Sequence, residues 1–85
     1  MEEEMLQQQI KVILLRQRKE YLLGKVTELD EEPSLLIENV YEIISDTEIK
    51  PFPSFTSQRD MFLTSETVLT ILDPSPAIEK LYKKQ

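Results

Sequence analysis

Residues 21–45, YLLGKVTELDEEPSLLIENVYEIIS, carry the strongest structural signal of the chain. Both ends of this stretch are rich in aliphatic and β-branched residues, which favour strands. The five residues between them, Asp30-Glu31-Glu32-Pro33-Ser34, have the composition of a turn. Gly24 is the only glycine, and a glycine inside a strand usually marks a bulge or a sharp bend. The stretch therefore predicts two strands of a curved sheet, joined by an acidic turn.

The segment before this stretch predicts a first strand, and the segment after it predicts a loop and a hairpin. Aliphatic residues begin at Ile10 and end at a charged turn, Arg16 to Glu20. Residues 45–59 contain two prolines and no sustained periodicity, so we expect the longest loop there, or a loop with frayed strand ends. Residues 61–63 are apolar, as are four of the five residues 68–72, and a short turn lies between the two runs, which predicts a tight hairpin.

The two ends of the chain predict helices. Residues 1–9 contain good helix formers, so we expect a short N-terminal helix or a frayed tail. Ser75 followed by Pro76 is typical of a helix N-terminus, and a short helix is predicted within 73–85. The five short strands of residues 10–72 bury their apolar faces best as a small, strongly bent barrel. The predicted fold class is mainly β.

Composition limits the size of the protein and the chemistry open to it. Eighty-five residues make one domain at most, and a core this small is marginal without a further source of stability. With neither Cys nor His, disulfides and imidazole- or thiolate-held metals are excluded, so self-association is the expected source. No secretory signal and no apolar run of about 18 residues is visible. We therefore expect a cytoplasmic protein without membrane contact.

Charge is sorted along the chain. The net charge is −6, and residues 30–48 contain seven acids and no base. Residues 10–29 contain five bases and two acids, among them Arg16, Arg18 and Lys19. Such sorting predicts one basic and one acidic surface, although solvated turns give the same pattern. The acidic total argues against indiscriminate binding to phosphate backbones.

Catalysis is not expected. Without His or Cys, acid–base and nucleophilic chemistry would depend on carboxylates, Lys or Tyr. Asp30, Glu31 and Glu32 are possible ligands for Mg²⁺ or Ca²⁺, but neighbouring acids in a turn are usually solvated, and the spacing of a calcium loop is missing. The sequence predicts no enzyme and no cofactor.

Two segments resemble the motifs of the Sm-like (LSm) family of RNA-associated ring proteins. Gly24-Lys25-Val26, Asp30 and residues 35–42, LLIENVYE, are similar to the first Sm motif. Residues 60–71, DMFLTSETVLTI, are similar to the second. The resemblance covers most of residues 10–72, and the chain is also similar to the small Sm-like proteins carried by marine bacteriophages. It implies a five-stranded barrel whose fourth strand pairs with the fifth strand of a neighbour, giving a homo-oligomeric ring of about five to seven subunits. The alternative is a monomer or a twofold dimer in which the last hairpin is an interior pair.

The resemblance also implies a nucleotide site at the pore. In the family an aromatic or His side chain stacks on the base, an Asn binds its edge, and an Arg packs on the other side. The corresponding positions here are Glu32, Ser34 and Thr64, with Ser65 at the family's glycine. These residues depart from the pattern, and Ser34 keeps hydrogen-bonding ability. The predicted function is single-stranded RNA or DNA binding, most of all RNA, with a non-standard base site.

Two further surfaces are candidates. Arg16, Arg18 and Lys19, repeated around a ring, give a cluster of cations for a polyanion, unless they serve only solubility. Phe52 and Phe55 suit either a stacking or docking loop or a hydrophobic plug under a loop. The candidate nucleic-acid-binding residues are therefore Arg16, Arg18, Lys19, Ser34 and Thr64. The alternative function is an oligomeric protein–protein scaffold without nucleic-acid binding.

Overall fold

The structure is a computed structural model that describes residues 9–85. It is mainly β, with six antiparallel strands and one C-terminal helix. The elements are β1 (Gln9–Leu15), β2 (Tyr21–Glu28), β3 (Leu35–Ser45), β4 (Glu48–Pro51), β5 (Met61–Leu63), β6 (Val68–Leu72) and α1 (Pro76–Lys83). The expected N-terminal helix or tail of residues 1–9 lies outside the described residues, except for Gln9, which begins β1.

The strands form one open sheet in the order β4-β3-β2-β1-β6, and β5 also pairs with β3. The prediction of five strands is wrong, because β4 lies inside the segment predicted to be the longest loop. Its Ile49 pairs with Ile43 of β3 across a short turn, so the long third strand continues into a hairpin. Nothing in the described residues closes the sheet into a barrel.

The predicted hairpin of residues 61–72 is also wrong. A 3₁₀ turn, Ser65–Thr67, separates β5 from β6. β5 pairs with the start of β3, from Leu35 to Ile37, whereas β6 pairs with β1. The turn redirects the chain so that the two strands join different parts of the sheet. Each therefore keeps one strand edge without a partner in the part of the chain that is described.

A bulge at Gly24 bends the middle of the sheet, as predicted. Leu23 pairs with Tyr41 and Lys25 pairs with Glu38, so two residues of β3 lie opposite the single glycine. A Cβ atom on Gly24 would lie 2.6 Å from Ile37 Cγ2 and 3.0 Å from the Glu38 carbonyl oxygen. Only glycine allows the two strands to approach this closely.

The two faces of the sheet carry separate apolar clusters. One cluster lies on one face of the sheet, and its fully buried members are Ile13, Leu22, Ile37 and Val40. Residues one position away along the same strands, Val12 and Leu23, point to the opposite face because side chains alternate. Helix α1 covers that face with Ile78 and Tyr82.

Helix α1 begins where the sequence predicts it. The Ser75 hydroxyl accepts a hydrogen bond from the Ile78 backbone N–H at 3.2 Å, and Pro76 occupies the first turn. The Tyr82 hydroxyl donates to the carbonyl oxygen of Asn39 at 2.8 Å, which ties the helix to the bend of β3. No helix within residues 9–85 has the length and apolar character needed to span a bilayer.

Candidate nucleic-acid interface

The loop between β2 and β3 and the 3₁₀ turn form one corner of the molecule. The Glu32 carboxylate accepts hydrogen bonds from the Ser65 backbone N–H, at 3.1 Å, and from the Ser65 hydroxyl. Within the loop, the Leu29 N–H donates to the Ser34 carbonyl oxygen at 2.8 Å. Ser34 and Ser65 line a cleft of about 340 Å³ whose floor is apolar. Thr64 lies beside this cleft, where its carbonyl oxygen accepts the Thr67 N–H.

The corner is acidic. The hydrogen bonds from Ser65 hold the pKa of Glu32 below its ordinary value, so this carboxylate is ionised at neutral pH. Glu28 lines the cleft, and Asp30 lines the adjoining one. Lys11 also lines the adjoining cleft, but its ammonium pairs with Asp73. Among the described residues, no group of three or more acidic side chains is arranged to hold a metal ion. The corner offers hydrogen bonds but repels phosphate.

The three candidate cations lie in the turn between β1 and β2, and they differ in their surroundings. Arg18 forms a two-pronged ion pair with Glu20, from Nε to Oε1 and from Nη2 to Oε2, each at 2.9 Å. This pair raises the pKa of Arg18 and lowers the pKa of Glu20 to about 2. Arg16 and Lys19 are exposed, and neither has an ion-pair partner within residues 9–85.

The loop that contains Phe52 and Phe55, here called the phenylalanine loop, lies beside the turn from Arg16 to Glu20, here called the basic turn. A groove of about 610 Å³ is lined by Arg16 and Arg18 of the basic turn and by Phe52 and Phe55 of the phenylalanine loop. Phe52 packs against the core, as a hydrophobic plug under the loop would. Phe55 is fully exposed, so its ring stands in solvent. Its backbone has a positive φ of 70°. Phe55 is therefore free to stack on a base or to anchor a partner.

The 3₁₀ turn connects the corner to this groove. At one end of the turn Ser65 binds Glu32, and at the other end the Thr67 carbonyl oxygen accepts the Arg16 N–H at 2.9 Å. Thr67 also lines the groove. The two surfaces that the sequence suggested separately, at the pore and at the outer turn, are thus both in contact with the same 3₁₀ turn.

Two acidic residues of the groove were missed by sequence reasoning. Glu20 and Glu42 line it together with Arg16 and Arg18, so the formal charges of these four residues cancel. The position of Glu20, two residues after Arg18, was a signal for the ion pair. No local signal marked Glu42, because β3 brings it to the groove by pairing with Leu22 of β2.

Comparison with known proteins gives a family but no activity. No curated protein matches the chain. Residues 8–85 match the model of a family of unknown function, DUF6561, which covers the whole described sheet and helix. The chain belongs to the family of unknown function DUF6561.

Proposed function

We propose that the protein is an Sm-like, cytoplasmic ring of identical subunits that binds single-stranded nucleic acid, RNA above all, without catalysis. Each subunit is a small, strongly bent barrel, and strand pairing between neighbouring subunits closes the ring. The binding surface is the basic turn together with the groove that Phe52 and Phe55 line. Arg16 and Lys19 contact phosphates there, and Phe55 stacks on a base. Weak contacts repeated on every subunit add up by multivalency.

The observation that carries this proposal is that β5 and β6 each have a strand edge without a partner among residues 9–85. Their apolar side chains are exposed: 61% of Phe62, 56% of Leu69 and 48% of Leu72 is accessible to solvent. Neither strand contains Lys, Arg or Pro, the residues that normally prevent an edge from pairing with another chain. Because the two edges belong to different strands, pairing of one with the other joins subunits head to tail. Such contacts either close into a ring or continue as a filament, and we propose the closed ring.

The distribution of charge favours the basic turn, rather than the corner, as the main contact with nucleic acid. The corner lacks an unpaired cation within the described residues, and the Glu32 carboxylate already occupies the Ser65 donors. Ser34 and Thr64 can then contribute hydrogen bonds only. Arg16 and Lys19 have no carboxylate partner in that part of the chain, and each subunit brings another pair of them. Cations of this kind give binding that weakens as salt rises.

Binding of labelled poly-U and poly-A at two salt concentrations tests the proposal. We expect binding at low salt that falls at high salt, and its loss when Arg16, Arg18 and Lys19 are all changed to Glu. The matched control changes three lysines of the C-terminal segment, Lys80, Lys83 and Lys84, to Glu, which alters the net charge equally. If the unaltered protein does not bind at low salt, the nucleic-acid function is overturned. If both triple variants lose affinity equally, the basic turn is not the binding surface.

A second candidate function is an oligomeric protein–protein scaffold. It is favoured by the groove itself, because its four charged residues cancel and its exposed aromatic ring resembles the anchors of protein interfaces. The net charge of −6 points the same way. A stable ring that does not bind RNA even at low salt would favour the scaffold function.

A further inference from the structure

The ion pair between Arg18 and Glu20 has the geometry of a phosphate site that is already occupied. Two N–H groups of the Arg18 guanidinium, on Nε and Nη2, each donate to a different oxygen of one carboxylate at 2.9 Å. A guanidinium binds two oxygens of a phosphate through the same two-pronged arrangement. Glu20 thus fills the face of Arg18 that a nucleic-acid phosphate would use.

The pair is also accessible to a ligand. The Arg18 side chain is 54% exposed, the Glu20 side chain is 22% exposed, and both line the groove that contains Phe55. Exposed ion pairs are weak because water screens them, so a phosphate can replace the carboxylate. Glu42 lies on the same groove and adds to the negative potential at Arg18.

The Glu20 carboxylate is charged at neutral pH. The hydrogen bonds from Arg18 lower the pKa of Glu20 to about 2. Mild acidification therefore does not release Arg18, and only a change of side chain or a competing anion does.

We infer that Glu20 is an intramolecular competitor that holds Arg18 away from the phosphates of a bound strand and keeps the affinity of each subunit low. This inference rests on the proposed nucleic-acid binding. A low affinity per subunit makes binding depend on the number of subunits that a strand can contact at once. Long single strands are then preferred over short ones, and Glu20 sets how strong that preference is.

The test compares the binding of labelled oligo-U to Glu20→Gln, Glu48→Gln and the unaltered protein. Glu48 lies on β4 and forms no ion pair within the described residues, so its variant changes the net charge equally without releasing an arginine. We expect Glu20→Gln to bind about tenfold more tightly and Glu48→Gln to change affinity by less than about twofold. The slope of log affinity against log salt should steepen by about 0.7 for each additional phosphate that the variant binds.

A double variant assigns the effect to Arg18. In Arg18→Gln/Glu20→Gln the increase in affinity should disappear, because the released guanidinium is absent. Equal affinities for Glu20→Gln and Glu48→Gln, with the unaltered protein still binding, would overturn the inference and leave the proposed function standing. Absence of binding by every variant would overturn both.

Discussion

Glu32 and Ser65, separated by 33 positions in the chain, form the contact that joins the acidic loop to the 3₁₀ turn. One carboxylate accepts both the backbone N–H and the hydroxyl of Ser65. The contact fixes the corner in which Ser34 and Thr64 lie, and it brings the start of β3 close to the turn that separates β5 from β6. The shape of the corner is therefore held by a side chain that also makes it negative.

Removing the charge of Glu32 should loosen this corner in a pH-dependent way. The pKa of Glu32 is lower in the folded protein than its ordinary value of 4.5. The stabilisation is therefore fully present above about pH 4.5 and is lost as the pH falls through the folded-state pKa. We expect Glu32→Gln to lower the melting temperature at pH 7, with a difference from the unaltered protein that shrinks towards pH 3. Glu31→Gln, in the same loop, is the control, and a difference that does not change with pH would contradict this account of the contact.

Gly24→Ala should destabilise the fold, because the added methyl group has no room. It would lie 2.6 Å from Ile37 Cγ2 and against the Glu38 carbonyl oxygen, so β2 and β3 must move apart at the bulge. Overpacking of this kind costs about 1–3 kcal/mol of unfolding free energy. Urea unfolding measures the loss, and Lys25→Ala, at the next, exposed position, should change stability by less than about 0.5 kcal/mol. Equal stability of Gly24→Ala and the unaltered protein would show that the bulge is not tightly packed.

Tyr82 should stabilise the protein through both its ring and its hydroxyl. Tyr82 is 4% exposed and its ring meets Tyr41 edge to face. Its hydroxyl donates to the Asn39 carbonyl oxygen at 2.8 Å, and the Glu38 carbonyl oxygen lies 3.2 Å away. We expect Tyr82→Phe to cost about 1 kcal/mol of unfolding free energy and Tyr82→Ala about 3–5 kcal/mol. Tyr21→Phe, at an exposed position, is the control. Burial raises the pKa of Tyr82 above its ordinary value of 10.0. The stabilisation by the protonated hydroxyl should therefore be fully present below about pH 10 and be lost as the pH rises through the higher pKa of the folded protein. A Tyr82→Phe protein as stable as the original would mean that the hydroxyl contacts contribute nothing.

A lysine placed on either unpartnered edge should prevent subunits from joining. Phe62→Lys on β5 and Leu69→Lys on β6 each put a charge where the neighbouring subunit would pack. We expect both variants to sediment as folded monomers, while Ile44→Lys, at a comparably exposed position at the end of β3, assembles like the unaltered protein. Assembly that survives both edge variants would place the subunit contact elsewhere.

The sequence predicted the elements whose signals are local. Ser75 and Pro76 marked the start of α1, and Gly24 marked the bulge, because each acts on its own few residues. β4 was missed because its four residues include only one aliphatic side chain, Ile49, and end in a proline. Its pairing depends on β3 rather than on its own composition.

The errors at the end of the sheet and at the site have a common cause. β5 and β6 looked like a hairpin because they are close in sequence, but their partners, β3 and β1, are far away in sequence. In the same way, the groove forms only when the fold brings Phe55 next to Arg16. Contacts between distant parts of the chain leave no pattern in a single sequence, so the candidate residues could be named but not their neighbours.

The mass in solution tests the central claim most directly, because every proposed site depends on being repeated around a ring. Light scattering at micromolar concentration should return about five to seven times the 10.0 kDa of one chain, unchanged on dilution. A mass of 10.0 kDa would contradict the account, since the free edges of β5 and β6 would then remain unpaired in a stable monomer.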